Sequence, residues 1–335
     1  MASFAQFGND LHTGKRSYNI VGRRKTWYLV AGIMILIAIV GPLLRGGFVF
    51  GIEFTGGSEF VVSEVTSQDQ SIANDAVTSV VPTAVAKVTT VSDSAIRVQT
   101  DQMTGEETRA VGVALAEAYG VPEDQVTSSF IGPSWGADIT GQAIRGLLIF
   151  LALAAVVMAL YFRTWKMALA AMIALVHDLI ITAGFYGITG FEITPAAVIG
   201  FLTILGYSLY DTVVVFDKIR ENTSAEGLER RTFAESVNLA VNQTLVRSIN
   251  TSVVAALPVA SILFIGAFVL GAGTLRDISL ALLIGMLVGA YSTIFIASPL
   301  YAQLREGEPE IRKRDKKILA ARAKATTGSA VEAGV

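Results

Sequence analysis

Apolar positions gather into six runs of about twenty residues, each long enough to cross a hydrocarbon core as a helix. They are 27–44, 144–162, 167–188, 193–216, 245–270 and 278–300. The first follows Arg23, Arg24 and Lys25 as a secretory signal would. It is too long for a signal core, however, and the chain continues Phe48-Val49-Phe50-Gly51 without a small-residue cleavage site, so a retained anchor is expected.

Between the first two runs the pattern shortens into strand and helix periods. Residues 58–65 suit a strand and 69–81 a helix, followed by strands over 84–91 and 95–100 separated by Ser92-Asp93-Ser94. Thr104 with Glu107 forms a capping box that opens a helix to Tyr119, with Gly120 as its stop. A last strand is expected over 125–131. The order β-α-β-β-α-β predicts a ferredoxin-like α+β domain over 46–141. The expected architecture is then an N-terminal segment (1–26), a first transmembrane helix (27–45), this domain, a five-helix transmembrane region (142–300) and a basic tail (301–335). The connection 217–244 carries an amphipathic stretch (Leu228, Phe233, Val237, Ala240) expected as a surface helix against the bundle, or as a docking helix. The tail, basic and then small and polar, is expected to be disordered beside an anionic lipid surface.

Composition agrees with a membrane chain: of 335 residues 52% are hydrophobic and 16% charged, against about a quarter charged in soluble domains. A net charge of -2 gives no indication of nucleic acid binding. Cysteine is absent, which excludes disulfides and thiolate chemistry, and two histidines argue against an imidazole-rich metal site. Basic residues alternate between connections. Lys15, Arg16 and Arg23 to Lys25 precede the first run, Arg163 and Lys166 follow the second, and Lys218, Arg220, Arg230 and Arg231 follow the fourth. The tail is basic too, while 189–192 and 271–274 carry no basic residue. The positive-inside rule then puts both termini in the cytoplasm and the α+β domain outside the cell membrane.

Few ionisable groups fall inside the runs: Asp211, His177 with Asp178, and Arg247. An intramembrane carboxylate is costly and usually faces a bundle interior on a proton or ion path. Asp211 and Arg247 lie at comparable depth on consecutive antiparallel runs, so a direct or water-mediated pair is expected. Arginine keeps its proton whereas a carboxylate in low dielectric can gain one, so protonation of Asp211 would release Arg247. A static ion pair fixing helix register, or interfacial snorkelling of Arg247, are the plainer readings. His177 and Asp178 point about 100° apart on a helix and are not expected to aim at one spot. They read as a relay or as satisfied polar groups. Gly184, Gly187, Gly200, Gly206, Gly285 and Gly289 are expected to allow close helix packing. Thr203, Ser208, Thr251 and Ser252 either line a hydrated path or bond their own backbone. The spacings HExxH, GxSxG and GxxxxGK[ST] are absent. Paired aspartates on adjacent runs raise an intramembrane protease, but neither Asp178 nor Asp211 has such a context.

Several motifs together resemble the SecD/SecF family of protein-export membrane proteins in the RND superfamily, its SecF members in particular. Gly51-Ile52-Glu53-Phe54-Thr55-Gly56-Gly57 is similar to the family's GIDFTGG, and GYSLYDTVVVFDKIREN from Gly206 to Asn222 resembles GYSINDTVVVFDRIREN. NQTLVRSINTS from Asn242, His177-Asp178 and the segment 275–300 add to the match, and the opening residues resemble actinobacterial members. The resemblance covers nearly the whole chain. Its signature positions here are Gly51, Phe54, Gly56, Gly57, Gly206, Thr212 and Asp217. It implies half of a twelve-span transporter whose other half is SecD, working with the SecYEG channel on exported preproteins under the proton gradient. The family's transmembrane carboxylate maps onto Asp211 and its fifth-span arginine onto Arg247. This chain departs at Glu53, Lys218 and Tyr210, where the family has aspartate, arginine and asparagine. The asparagine is the consequential loss, since an amide beside the carboxylate would hydrogen bond it. No catalytic residue, cofactor or metal is implied. An RND-type exporter of small molecules or lipids, or a non-transducing assembly subunit, are the competing expectations.

Overall fold

A computed structural model describes residues 4–92, 94–224, 231–266 and 273–332. Among them, six helices are long and apolar enough to cross a membrane. Helix α1 (Phe4–His12) precedes the first of these, α2 (Arg24–Arg45). A short helical turn, α3 (Ile52–Thr55), leads into the sheet domain. Its elements are β1 (Gly57–Ser63), α4 (Gln70–Val80), β2 (Lys87–Ser92), β3 (Ala95–Thr100), α5 (Gly105–Tyr119) and β4 (Val126–Ile131). The remaining membrane helices are α6 (Pro133–Phe162), α7 (Trp165–Thr189), α8 (Pro195–Asn222), α9 (Phe233–Phe264) and α10 (Gly273–Ser292). A π-helical turn (Thr293–Ala297) extends α10 into α11 (Ser298–Glu306), and α12 (Pro309–Glu332) closes the chain.

The sheet is antiparallel in the order β2-β3-β1-β4. Alternation along β1 and β3 turns Phe60, Val62, Ile96 and Val98 to one face, where α4 and α5 cover them with Val77, Val111 and Leu115. Burying about 1.5–3 kcal/mol worth of apolar surface per such side chain holds the two helices on that face. Helix α5 starts on the Thr104/Glu107 capping box, with both reciprocal bonds formed, and stops at Gly120 in the left-handed region. Helix α4 starts on Asp69, which accepts from the Ser71 N–H.

The domain joins the membrane helices at two points. Strand β4 runs almost directly into α6 through Gly132. On the other side, the Gly51 N–H donates to the Ile193 carbonyl (3.0 Å) and the Ile193 N–H to that of Val49 (2.8 Å). The chain then turns through Gly56 and Gly57, both at positive φ (73° and 134°). A Cβ on Gly57 would lie 2.5 Å from the Thr100 carbonyl oxygen, so side chains are excluded sterically as well as conformationally. The motif Gly51–Gly57 is thus a joint, with Phe54 lining an apolar groove beside α6 and α8.

Three sequence expectations change. Phe233, Val237 and Ala240 do not form a separate surface helix; they are buried in the first turns of α9, which is continuous with the fifth membrane run. Helix α8 likewise continues to Asn222, so the connection is far shorter than 217–244. Leu228 lies outside the described residues. As far as Glu332 the tail is helical rather than disordered. The Asp315 carboxylate accepts from the Phe233 N–H at the start of α9 (3.1 Å), Arg322 forks onto Glu235 (2.8 Å to each oxygen), and Ile311 is buried. Tertiary partners supply what this polar segment's own composition lacks.

The N-terminal segment is fastened at the same end. Asn242 of α9 accepts from the Tyr18 N–H (2.7 Å) and donates to the Tyr18 carbonyl (2.9 Å). Asn238 accepts from the N–H groups of Ile20 (2.9 Å) and Val21 (3.0 Å).

Candidate functional site

Helix α8 packs against α7, α9 and α10, and three of its polar residues each meet a different neighbour. The Ser208 hydroxyl donates to Asp178 Oδ2 on α7 at 2.6 Å. One turn on, Asp211 Oδ1 accepts from the Ser248 hydroxyl of α9 at 2.9 Å. Beside it, the hydroxyls of Thr212 and Thr293 lie 2.9 Å apart. All six residues are buried. Positions 208, 211 and 212 share a face because three and four residues make about one turn. Ionisable side chains in a membrane helix usually face the bundle interior, as Asp178 and Asp211 do here.

Thr293 reaches this layer because the last helix widens into a π turn there; the Ser298 hydroxyl donates back to the Thr293 carbonyl (2.9 Å). Such turns inside α-helices recur at functional sites. Close approach is needed on α10 as well. A Cβ on Gly289 would lie 3.0 Å from Ser208 Oγ and 3.6 Å from Asp178 Oδ2.

Asp178 receives a second contact, from His177 Nδ1 at 3.1 Å. The two side chains therefore do converge, contrary to the expectation from their angular separation. Neighbouring Cβ atoms diverge on a helix, but an imidazole and a carboxylate are long enough to bend toward one another. Asp178 is thus the bridge between His177 and Ser208. His177 Nε2, Asp211 Oδ2 and Ser252 Oγ are buried without a hydrogen-bond partner among the described residues. Unpaired polar atoms of this kind are costly in a low-dielectric interior, and they occur elsewhere in the chain too, at Trp27, Ser58 and Ser236 among others.

Asp211 is paired with Ser248 and not with Arg247. The serine faces α8 directly, whereas Arg247 is exposed and lines a polar cleft of about 930 Å³ with His12, Val214, Asp217, Thr244 and others. Its charge still acts on Asp211 through space. The cleft thus opens one residue away from the buried carboxylate's partner. Asp217 is exposed at the cleft and accepts from the Tyr161 hydroxyl at 3.4 Å. Tyr210 is 58% exposed, turned away from the partners of Asp211, so the tyrosine leaves the carboxylate's hydrogen bonding untouched. Lys218 pairs with Glu221 on the surface (2.7 Å).

Gly206 is not a packing contact: a Cβ there would meet nothing within 4 Å. Gly184, Gly187, Gly200 and Gly285 do face neighbouring helices closely. Thr203 and Thr251 donate to their own helix backbone, at Ile199 and Arg247. Sequence reasoning passed over Ser248 and Thr293, and it did not connect Ser208 to Asp178. Ser248 was discoverable as the neighbour of Arg247 one position along; the π turn has no sequence period to betray it. Among the described residues no group of three or more His, Asp or Glu is gathered to hold a metal.

A second charged cluster joins the sheet domain to the bundle. Arg97 on β3 donates to Glu192, between α7 and α8, at 2.8 Å, and lies 3.7 Å from Glu59 on β1. Burial pushes the Glu192 carboxyl above its ordinary range, and the Glu59 charge adds to this against the pull of Arg97. Burial also raises Glu53 on α3. Burial works against the Arg97 charge, but Glu59, Glu192 and Asp277 outweigh it and raise the guanidinium further. Buried Asp277 on α10 accepts from the Thr194 hydroxyl at 3.0 Å and pairs with Arg276 at 3.2 Å.

A family profile described as "Protein export membrane protein SecD/SecF, C-terminal" matches residues 113–307. The chain belongs to the SecD/SecF family. A relative from Streptomyces coelicolor, named "Protein translocase subunit SecF", is 44% identical over 99% of this chain and 89% of its own length. A SecF of Mycobacterium tuberculosis is 40% identical over 93% of this chain and 73% of its own. Among solved structures, the crystal structure of Thermus SecDF matches with a TM-score of 0.73 and 28% identity. That match covers 87% of this chain but 39% of the SecDF chain, so this chain spans about two fifths of it. The SecD/SecF match contains the whole α8-centred layer with Arg247, while the joint at Gly51–Gly57 lies before it.

Proposed function

We infer that this chain is an auxiliary subunit of the Sec protein translocase that, paired with a SecD half, uses the proton gradient to promote late translocation and release of exported proteins. The observation that carries the reading is Asp211: buried at 5% exposure in a membrane helix, with one carboxylate oxygen on Ser248 and the other without a partner among the described residues, beside a polar cleft that holds Arg247. The names of the SecF relatives support the translocase assignment. The single-chain SecDF supports a SecD partner, because this chain corresponds to only part of it.

In this reading Asp211 exchanges between two states. Charged, it holds Ser248 and attracts Arg247 in the neighbouring cleft; protonated, it loses that attraction and α8 shifts against α7, α9 and α10. His177 and Asp178 form a parallel relay through Ser208. One charge crossing 100 mV yields about 2.3 kcal/mol, enough to bias such a switch several-fold or more. The sheet domain, whose strand order supports a ferredoxin-like fold, lies outside the cell membrane, with both termini in the cytoplasm as the basic connections require. There it moves relative to an emerging preprotein near SecYEG, with lipid on the bundle's exposed apolar flanks. The subunit is a transducer and not an enzyme.

The test is gradient-dependent export in inverted vesicles carrying Asp211→Asn, with recovery of the SecD partner followed alongside. Lost export with intact pairing is the expected result. Normal export at normal rate would overturn the reading, and lost pairing would make Asp211 an assembly residue.

A further inference from the structure

The two edges of the sheet are guarded unequally. Edge strand β2 carries Lys87 and an irregular register between Thr90 and Ser92. Both are devices that discourage another strand from pairing there. Edge strand β4 has the sequence Val-Thr-Ser-Ser-Phe-Ile, with no charge, no proline and an unbroken six-residue register against β1. Its central residues Thr127 to Phe130 are exposed. Alternate residues of β4 therefore present free N–H and C=O groups to the outside of the sheet.

Beside that edge lies a groove of about 540 Å³ between β4 and α5. Val126, Ser128 and Phe130 form one wall and Gly105, Thr108 and Gly112 the other, with Arg109 and Glu123 as one charge of each sign on the lining. A Cβ at Gly105 or Gly112 would meet nothing within 4 Å, so the helix wall is open rather than packed. Phe130 is 51% exposed in this groove. A free strand edge flanked by a helix, with an apolar side chain between them, is the geometry by which domains capture a peptide as an added strand.

We propose that β4 and α5 bind an extended segment of unfolded polypeptide, added to the sheet as a fifth strand. Main-chain hydrogen bonds to β4 supply sequence-tolerant affinity, and every second side chain enters the groove beside Phe130. Six residues of β4 span about 20 Å, so the captured segment is of similar length. The uncharged strand, beside a groove whose Arg109 and Glu123 balance in charge, fits a ligand chosen for being extended and not for its charge. The proposal rests on the export reading, which supplies the unfolded chain, and its test is separable from it because binding needs no gradient.

The full chain, purified with its partner half in nanodiscs, is titrated with a fluorescein-labelled peptide of alternating threonine and valine ending in lysines. A version with prolines at alternate positions lacks the N–H donors. The expected result is binding of the first and at least about tenfold weaker binding of the second. Gly112→Phe, at a position where a Cβ meets nothing within 4 Å, directs a ring into the open groove and should weaken binding about tenfold as well. A photo-crosslinker at Ser128 should label the peptide, while one at Lys87 on the guarded edge should not. Equal binding of the proline peptide, indifference to Gly112→Phe, or a Ser128 adduct to the partner half in place of the peptide would each overturn the proposal. Success here with normal export in Asp211→Asn would overturn the gradient reading alone.

Discussion

Removing the guanidinium of Arg97 should undock the sheet domain from the bundle. Arg97 is the cation between Glu192 at 2.8 Å and Glu59 at 3.7 Å, and the side chains of Arg97 and Glu192 are only 13% and 7% exposed. Breaking a buried pair by deleting one partner costs about 3–5 kcal/mol, chiefly because the surviving charge is left unpaired. Allowing for the remaining exposure, about 3 kcal/mol is a reasonable figure, on the order of a hundredfold in the docked-to-undocked ratio. Arg97→Met with Glu192→Gln removes most of the penalty, because the remaining carboxylate, Glu59, keeps its bond from the Gln99 amide (3.0 Å), and should restore docking. Acid should restore it too. Glu192 and Glu53 have their carboxyls raised in the folded protein above the ordinary 4.5. Each therefore binds its proton more tightly folded than unfolded, and the stabilisation is complete below 4.5 and lost as pH rises through the raised value. Arg97→Ala should be undocked at neutral pH and recover as pH falls toward 4.5. The natural chain has no cysteine, so spin labels on cysteines placed at exposed Ala110 (α5) and Ser261 (α9) report the separation without interference. One unchanged distance distribution for Arg97→Ala at neutral pH would refute the reasoning, as would a second population that the double replacement fails to remove.

Two further substitutions follow from the same geometry. Gly289→Leu forces a side chain onto Ser208 and Asp178 and should destabilise the bundle by about 1–3 kcal/mol, read as a lower unfolding temperature in detergent; an unchanged temperature would mean the helices can part without cost. Asn242→Ala removes both bonds to the Tyr18 backbone and should loosen the N-terminal segment by about 1–3 kcal/mol. Trypsin should then cut at exposed Lys15 and Arg16 on the order of ten times faster, whereas unchanged cleavage would show that α1 and Asn238 hold the segment without Asn242.

The legible features were those that depend on neighbours in sequence. Apolar run length alone located six membrane helices, because a bilayer leaves a backbone no other way to satisfy its hydrogen bonds in so apolar a stretch. Strand and helix periods with the Thr104/Glu107 box anticipated four strands and two helices in this order, with the second strand displaced from 84–91 to 87–92, since caps and alternation act over three or four residues. Asp211 stood out because a carboxylate in an apolar run is anomalous whatever surrounds it.

Its surroundings were decided by which helix faces meet. Ser248 rather than Arg247 holds Asp211 because two positions adjacent in sequence lie about 100° apart around α9, and only one can face α8. The same divergence failed to keep His177 from Asp178, where side-chain reach outweighed backbone angle. The π turn that delivers Thr293, the asparagines that fasten Tyr18 and the aspartate that docks α12 onto α9 all join residues far apart in sequence. Period and propensity describe a helix's own surface. The assembled bundle determines which part of that surface becomes a site.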